Sequence, residues 1–238
     1  MRVEPSTLIS PPLIAPDGVR SVSEERWTGP IADVHDPLPT MASVPRFEGH
    51  VWSVVTETIA FPGGQQVQRD VVIHPGAVGV AAIDDSGAIL LIRQYRHPVG
   101  GYLFELPAGL RDVAGEDPLV TAQRELAEEA GLTAGRWDVL VDFFNSPGGS
   151  SEAFRCYLAR DVRPLPGGRR PSGEAEEAEL PQVWVAVDQA VNLVLGGALH
   201  NPTTVVGVLA AQAARDRGWS TLRPADGPMW SLPEADDR

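Results

Sequence analysis

The segment Glu116-Asp-Pro-Leu-Val-Thr-Ala-Gln-Arg-Glu-Leu-Ala-Glu-Glu-Ala-Gly-Leu132 constrains this chain more than any other. Asp117 can cap a helix and Pro118 suits its first position. Gly131 suits the left-handed residue after its end, so the spacing predicts a helix over 117–130. At 100° per residue, Leu119, Ala122, Leu126 and Ala130 share one face, which would dock on a sheet. Glu125, Glu128 and Glu129 fall within an arc of about 100° beside that face. Carboxylates this close repel: a unit pair at ~4 Å costs about 4 kcal/mol at an effective dielectric of ~20. Solvent, a basic partner or a divalent cation must relieve that cost. Arg124, one turn before Glu128, offsets part of it. Clustered hard oxygens suit magnesium, which keeps waters and bridges to substrate phosphates.

Strand signals surround this helix. Residues 50–61 and 65–75 flank Phe-Pro-Gly-Gly and read as a hairpin; 77–83 and 88–96 flank Asp-Asp-Ser-Gly and read as a second. The apolar runs of the second suggest central strands. Residues 139–144, 153–162 and 182–187 are further strand candidates. A helix over 187–199 breaks near Gly196 and Gly197, and Asn201-Pro202 starts another that runs to Gly218. Strands mixed with two or three helices predict an α+β protein or an α/β sandwich. The expected organisation is an irregular arm over 1–45, a small N-terminal β element over 46–75, a main domain over 76–225 and a tail over 226–238.

Composition narrows the function. A net charge of −13 opposes binding to nucleic acid or an anionic lipid surface, so a phosphate substrate needs local cations or metal. A single cysteine, Cys156, excludes an internal disulfide and a four-cysteine zinc site. No apolar run reaches the ~18 residues of a membrane helix, and prolines break the only apolar stretch of the start. The expected location is the cytoplasm.

Upstream of the helix lies Glu105-Leu-Pro-Ala-Gly109, followed by Leu-Arg-Asp-Val-Ala-Gly-Glu116. Together with Arg124-Glu-Leu-Ala-Glu-Glu-Ala-Gly-Leu132, this resembles the Nudix box, G-x5-E-x7-R-E-U-x-E-E-x-G-U with U aliphatic. Six residues rather than five separate Gly109 from Glu116, an insertion in the loop before the helix. The resemblance implies the Nudix fold, an α+β protein built as an α/β/α sandwich with a mixed sheet, with Glu125, Glu129 and the backbone carbonyl of Ala108 as ligands of Mg2+, and Mn2+ as the alternative ion. Glu128 is either a further ligand or an ion-pair partner of Arg124. Glu116 and Arg124 are expected to hold the loop against the helix.

The box does not fix the substrate. Pro147, sixteen residues beyond Gly131, stands in a Ser-Pro-Gly turn with Glu152 shortly after it, which resembles the ADP-ribose pyrophosphatase subfamily. Residues 69–78, Arg93-Gln-Tyr-Arg96, Glu105-Leu-Pro-Ala-Gly-Leu and His200-Asn add similarity over about 47–225. The implied activity is hydrolysis of ADP-ribose to AMP and ribose 5-phosphate. The alternatives are another nucleoside diphosphate sugar, or a binding module without catalysis. Arg69 and Arg96 are the candidate diphosphate cations, because guanidinium forks match phosphate geometry. Glu105 is a further substrate-binding candidate, and Trp52 is the aromatic candidate for the base, with burial in the core as its other reading. Glu177, in the acidic cluster of a Gly/Pro-rich loop over 163–181, is the candidate catalytic and metal-binding carboxylate, ahead of Glu176 and Glu179. Subfamily members exchange N-terminal strands between two chains, which implies a homodimer with the site near the interface.

Overall fold

Two apolar clusters lie on opposite faces of one mixed sheet, and they fix where the helices go. The structure, a computed structural model, describes residues 29–169 and 180–230. The sheet runs β11 (Arg223–Pro224), β8 (Leu132–Phe144), β9 (Ala153–Pro164), β4 (Ala77–Ala82), β7 (Ala108–Leu110). Only β4 and β9 pair in parallel; the other ladders are antiparallel. Alternation along β4 sends Val78, Val80 and Ala82 to one face and Ala77 and Ala81 to the other. The first face packs Ala122, Leu126 and Ala130 of α1 (Pro118–Ala130), with Leu119 at its margin. The second packs α2 (Val187–Leu195) and α3 (Pro202–Asp216) through Val187, Ala190, Val208 and Ala211. The expected α/β/α sandwich is therefore formed. Leu126 has no exposed surface, and burying such a side chain contributes about 1.5–3 kcal/mol.

The helix signals act as read. Asp117 accepts a hydrogen bond from the Leu119 N–H, and Gly131 ends α1 at φ 67°. Asn201 likewise accepts from the Thr204 N–H at the start of α3.

Three expectations need correction. The strands over 77–83 and 88–96 do not form a hairpin ladder. β5 (Ala88–Arg96) lies between β10 (Gln182–Ala186) and β6 (Gly101–Glu105) in a separate sheet, and a single bridge, Ile83 to Ile89, links it to the end of β4. Asp84 closes the tight turn between them: its carboxylate accepts from the N–H groups of Ser86 and Ala88.

The arm is not irregular through residue 45, because β1 spans Thr40–Glu48. It pairs with β2 (Ser53–Ala60), which pairs in turn with β3 (Gln66–Ile73), so the N-terminal element is a three-stranded sheet rather than a hairpin. Register shifts between Thr40 and Ala42 and between Pro45 and Phe47 break the alternation of period two that would reveal a strand. A relay crosses this sheet: Arg46 Nε donates to Thr56 Oγ1 (2.8 Å), which donates to Asp70 Oδ1 (2.6 Å).

The tail is not separate from the domain through residue 230. Arg155, almost wholly buried, pairs with Asp142 and donates to the carbonyls of Gly227 and Pro228. No helix among the described residues is long and apolar enough to cross a membrane.

Candidate active site

The carboxylates of α1 meet the backbone of β7. Glu129, 2% exposed, accepts a hydrogen bond at Oε2 from the Ala108 N–H (2.8 Å). Glu125, 7% exposed, lies over Gly109, where any Cβ would overlap its carboxylate. The glycine is required by this close approach. Burying two carboxylates side by side is costly without cations or donors around them. Arg124 supplies part of the compensation: Nη1 reaches Glu125 Oε1 (2.7 Å) and Glu128 Oε2 (3.3 Å), and Nη2 reaches Glu116 Oε2 (3.3 Å). Burial pulls the Arg124 pKa down, but the three carboxylates outweigh it and hold the guanidinium above its ordinary value. Glu116 is held below the usual carboxylate value, first by the Thr121 hydroxyl and then, against slight burial, by Arg124. Glu116 and Arg124 thus tie the loop to the helix, as the sequence led us to expect.

The donor set fits a hard divalent cation in its chemistry: two buried carboxylates beside a backbone strand. Among the described residues no group of three or more His, Cys, Asp or Glu side chains is arranged to hold a metal ion. Glu128 is engaged with Arg124, and Ala108 is seen through its N–H bond to Glu129. Glu177, with Glu176 and Glu179, lies outside the described residues.

A cleft of about 650 Å³ opens between the N-terminal sheet and the loop that follows β7, within the size range of small-molecule sites. Glu116 carries the carboxylate cluster to its wall, and Trp52 lines it. Trp52 is 44% exposed and tilted against Phe47 at 5.7 Å, so it is not a core tryptophan. The other candidates stand apart from this cleft. Arg96 forms a two-bond pair with the buried Glu105, at 2.9 and 2.6 Å. Arg69, on β3, donates to the Gln68 carbonyl and does not line the cleft. Arg93 lies 4.2 Å over the Tyr102 ring, a packing role.

Residues 73–204, more than half of the chain, match the family model described as NUDIX domain. The chain belongs to the NUDIX family. It is 42% identical over 201 residues to an ADP-ribose pyrophosphatase of Mycobacterium tuberculosis, covering 84% of this chain and 95% of that protein. It is 34% identical to an ADP-ribose pyrophosphatase of Bacillus subtilis, covering 71% and 89%. Its fold matches a crystal structure of an ADP compounds hydrolase with a TM-score of 0.66 at 21% identity, covering 79% of this chain and 99% of that one. The protein is a Nudix hydrolase, and its box helix and loop form the site described above.

Two cleft residues escaped the sequence reading. His74 and Arg111 both line the wall, on either side of Gly76. His74 stood within a segment of recognised similarity but carried no local signal of its own. Arg111 opens the loop with the extra residue, and that insertion is the one signal that could have drawn attention to it.

Proposed function

We propose that this Nudix hydrolase cleaves the diphosphate of ADP-ribose, giving AMP and ribose 5-phosphate, with Mg2+ as its cofactor and Mn2+ as a possible replacement. The observation that carries the reading is the cleft itself: Trp52 and Glu116 both line it, and Arg124 links Glu116 to Glu125 behind its wall. The activity named for the relatives from M. tuberculosis and B. subtilis supports the choice of substrate.

Glu125, Glu129 and the Ala108 carbonyl would hold the cation, with Glu128 and Glu177 as additional carboxylates. Bound there, the ion lowers the pKa of a water and neutralises charge on the diphosphate. The chain's own residues do the rest. The Ala108 N–H fixes the Glu129 carboxylate, and Arg124 fixes Glu125, so both acceptors are oriented before substrate arrives. Gly109 leaves the space that Glu125 occupies. Trp52 offers an exposed ring for the adenine. Glu177 is the carboxylate assigned to take the proton of the attacking water as general base.

The protein works as a cytoplasmic homodimer in this reading. All nine residues of β1 are exposed, Met41, Val44 and Phe47 among them, and a second chain laid along that sheet would cover them. Arg69 and the Arg96–Glu105 pair would then face substrate held between two chains.

The test is a panel of nucleotides with magnesium. ADP-ribose should be cleaved with a clearly higher kcat/KM than ATP or dGTP. A tenfold preference for either triphosphate would refute the substrate while leaving the family intact.

A further inference from the structure

The cleft contains a cation that no ion pair among the described residues explains. Arg111 is the one arginine or lysine among its described lining residues, whereas Glu48, Asp112 and Glu116 are carboxylates there. Its Nε is buried without a hydrogen-bond partner, and its Nη1 contact is the weak acceptor Met229 Sδ at 3.8 Å. Glu116 is engaged by Arg124 and Thr121 instead. A guanidinium N–H desolvated without an acceptor is a cost that packing does not offset.

The backbone at Gly76 places a second donor beside it. The Arg111 N–H donates to the Gly76 carbonyl (3.1 Å), and the Arg111 side chain lies 3.8–3.9 Å from where a Gly76 Cβ would stand. On the other side the Gly76 N–H donates to His74 Nδ1 (3.0 Å), which leaves the ring proton of neutral His74 on Nε2. Burial lowers the His74 pKa against the opposing charge of Glu152, so the ring is a neutral donor near pH 7.

We propose that Arg111 is the substrate-binding cation of the cleft, its guanidinium taking non-bridging oxygens of a nucleoside diphosphate while His74 Nε2–H donates beside it. This rests on the hydrolase reading above. A planar fork suits phosphate oxygens, and the arginines first expected in that role are placed differently: Arg96 is held by buried Glu105, and Arg69 lies outside the lining. Arg111 also begins the loop whose length departs from the box pattern, so it marks a feature of this chain rather than of the motif.

The test compares Arg111→Gln and Arg111→Lys with the wild type in two assays. Calorimetry measures ADP binding in the presence of a chelator, where nothing turns over; steady-state kinetics measures ADP-ribose hydrolysis with magnesium. The Gln variant should bind ADP at least about tenfold more weakly and raise KM by a similar factor, with kcat falling less than KM rises. The Lys variant, which keeps the charge but loses the fork, should fall between. ADP affinity within twofold of wild type in the Gln variant would overturn the proposal. So would equal loss in both variants accompanied by lowered melting temperatures, which would make Arg111 a residue of the fold. If the wild type binds ADP yet leaves ADP-ribose intact, the substrate reading fails, and the ADP arm alone still decides the role of Arg111.

Discussion

Glu125 fills the space that a side chain at position 109 would need, and Gly109 is therefore part of the carboxylate site rather than a loop residue. Gly109→Ala should push the Glu125 carboxylate away from β7 and from Arg124. Misplacement of about 1 Å in such a site costs on the order of 10²-fold in rate. We expect kcat/KM to fall by about that factor and Mg2+ affinity to fall with it, while circular dichroism stays native. Wild-type activity in the alanine variant would mean that Glu125 has another productive position.

Much of this site was legible because helix geometry is local. Asp117, Pro118 and Gly131 bound the helix by caps, and the 3.6 period put Glu125 and Glu129 beside its buried face. What was not legible depends on distant pairings. β1 hides behind two register shifts, and β4 and β5 part into different sheets after a turn that reads as a hairpin. The pairing of Arg96 with Glu105, nine residues away on the neighbouring strand β6, is set by the sheet and not by any local pattern. Arg111 acquires meaning only once the N-terminal sheet closes the cleft over it.

Acid should loosen the loop before the core. Glu116 titrates below the usual glutamate range, first because Thr121 donates to its ionised form. Its contribution to stability is complete above the unfolded pKa and is lost as pH falls through the lower folded pKa. Thr121→Val should therefore be less stable than wild type at pH 7, with the gap narrowing as Glu116 becomes protonated. Urea midpoints at pH 7 and at successively lower pH measure this. A gap independent of pH would assign the Thr121 effect to packing alone.

Glu177→Gln should depress kcat by a factor on the order of 10²–10⁴ with little change in KM, as for loss of a general base. Glu176→Gln and Glu179→Gln should be tolerated. Collapse in a neighbour with a normal Glu177 variant would move the role to that neighbour, as read by kcat under saturating magnesium.

The exposed β1 face predicts assembly. Light scattering at micromolar protein should give the mass of two chains, and Phe47→Glu, on that face, should shift it toward one. A fully active monomer would contradict the dimeric site.

The central claim is that Glu125 and Glu129 hold the ion with which ADP-ribose is split. The most direct measurement incubates wild type, Glu125→Gln and Glu129→Gln with ADP-ribose, with magnesium or with chelator, and identifies the products by chromatography. The account predicts equal amounts of AMP and ribose 5-phosphate from the wild type with magnesium, none with chelator, and a loss of at least about 10²-fold in either variant together with weakened metal binding. Undiminished product formation in chelator, or by both variants, would contradict it.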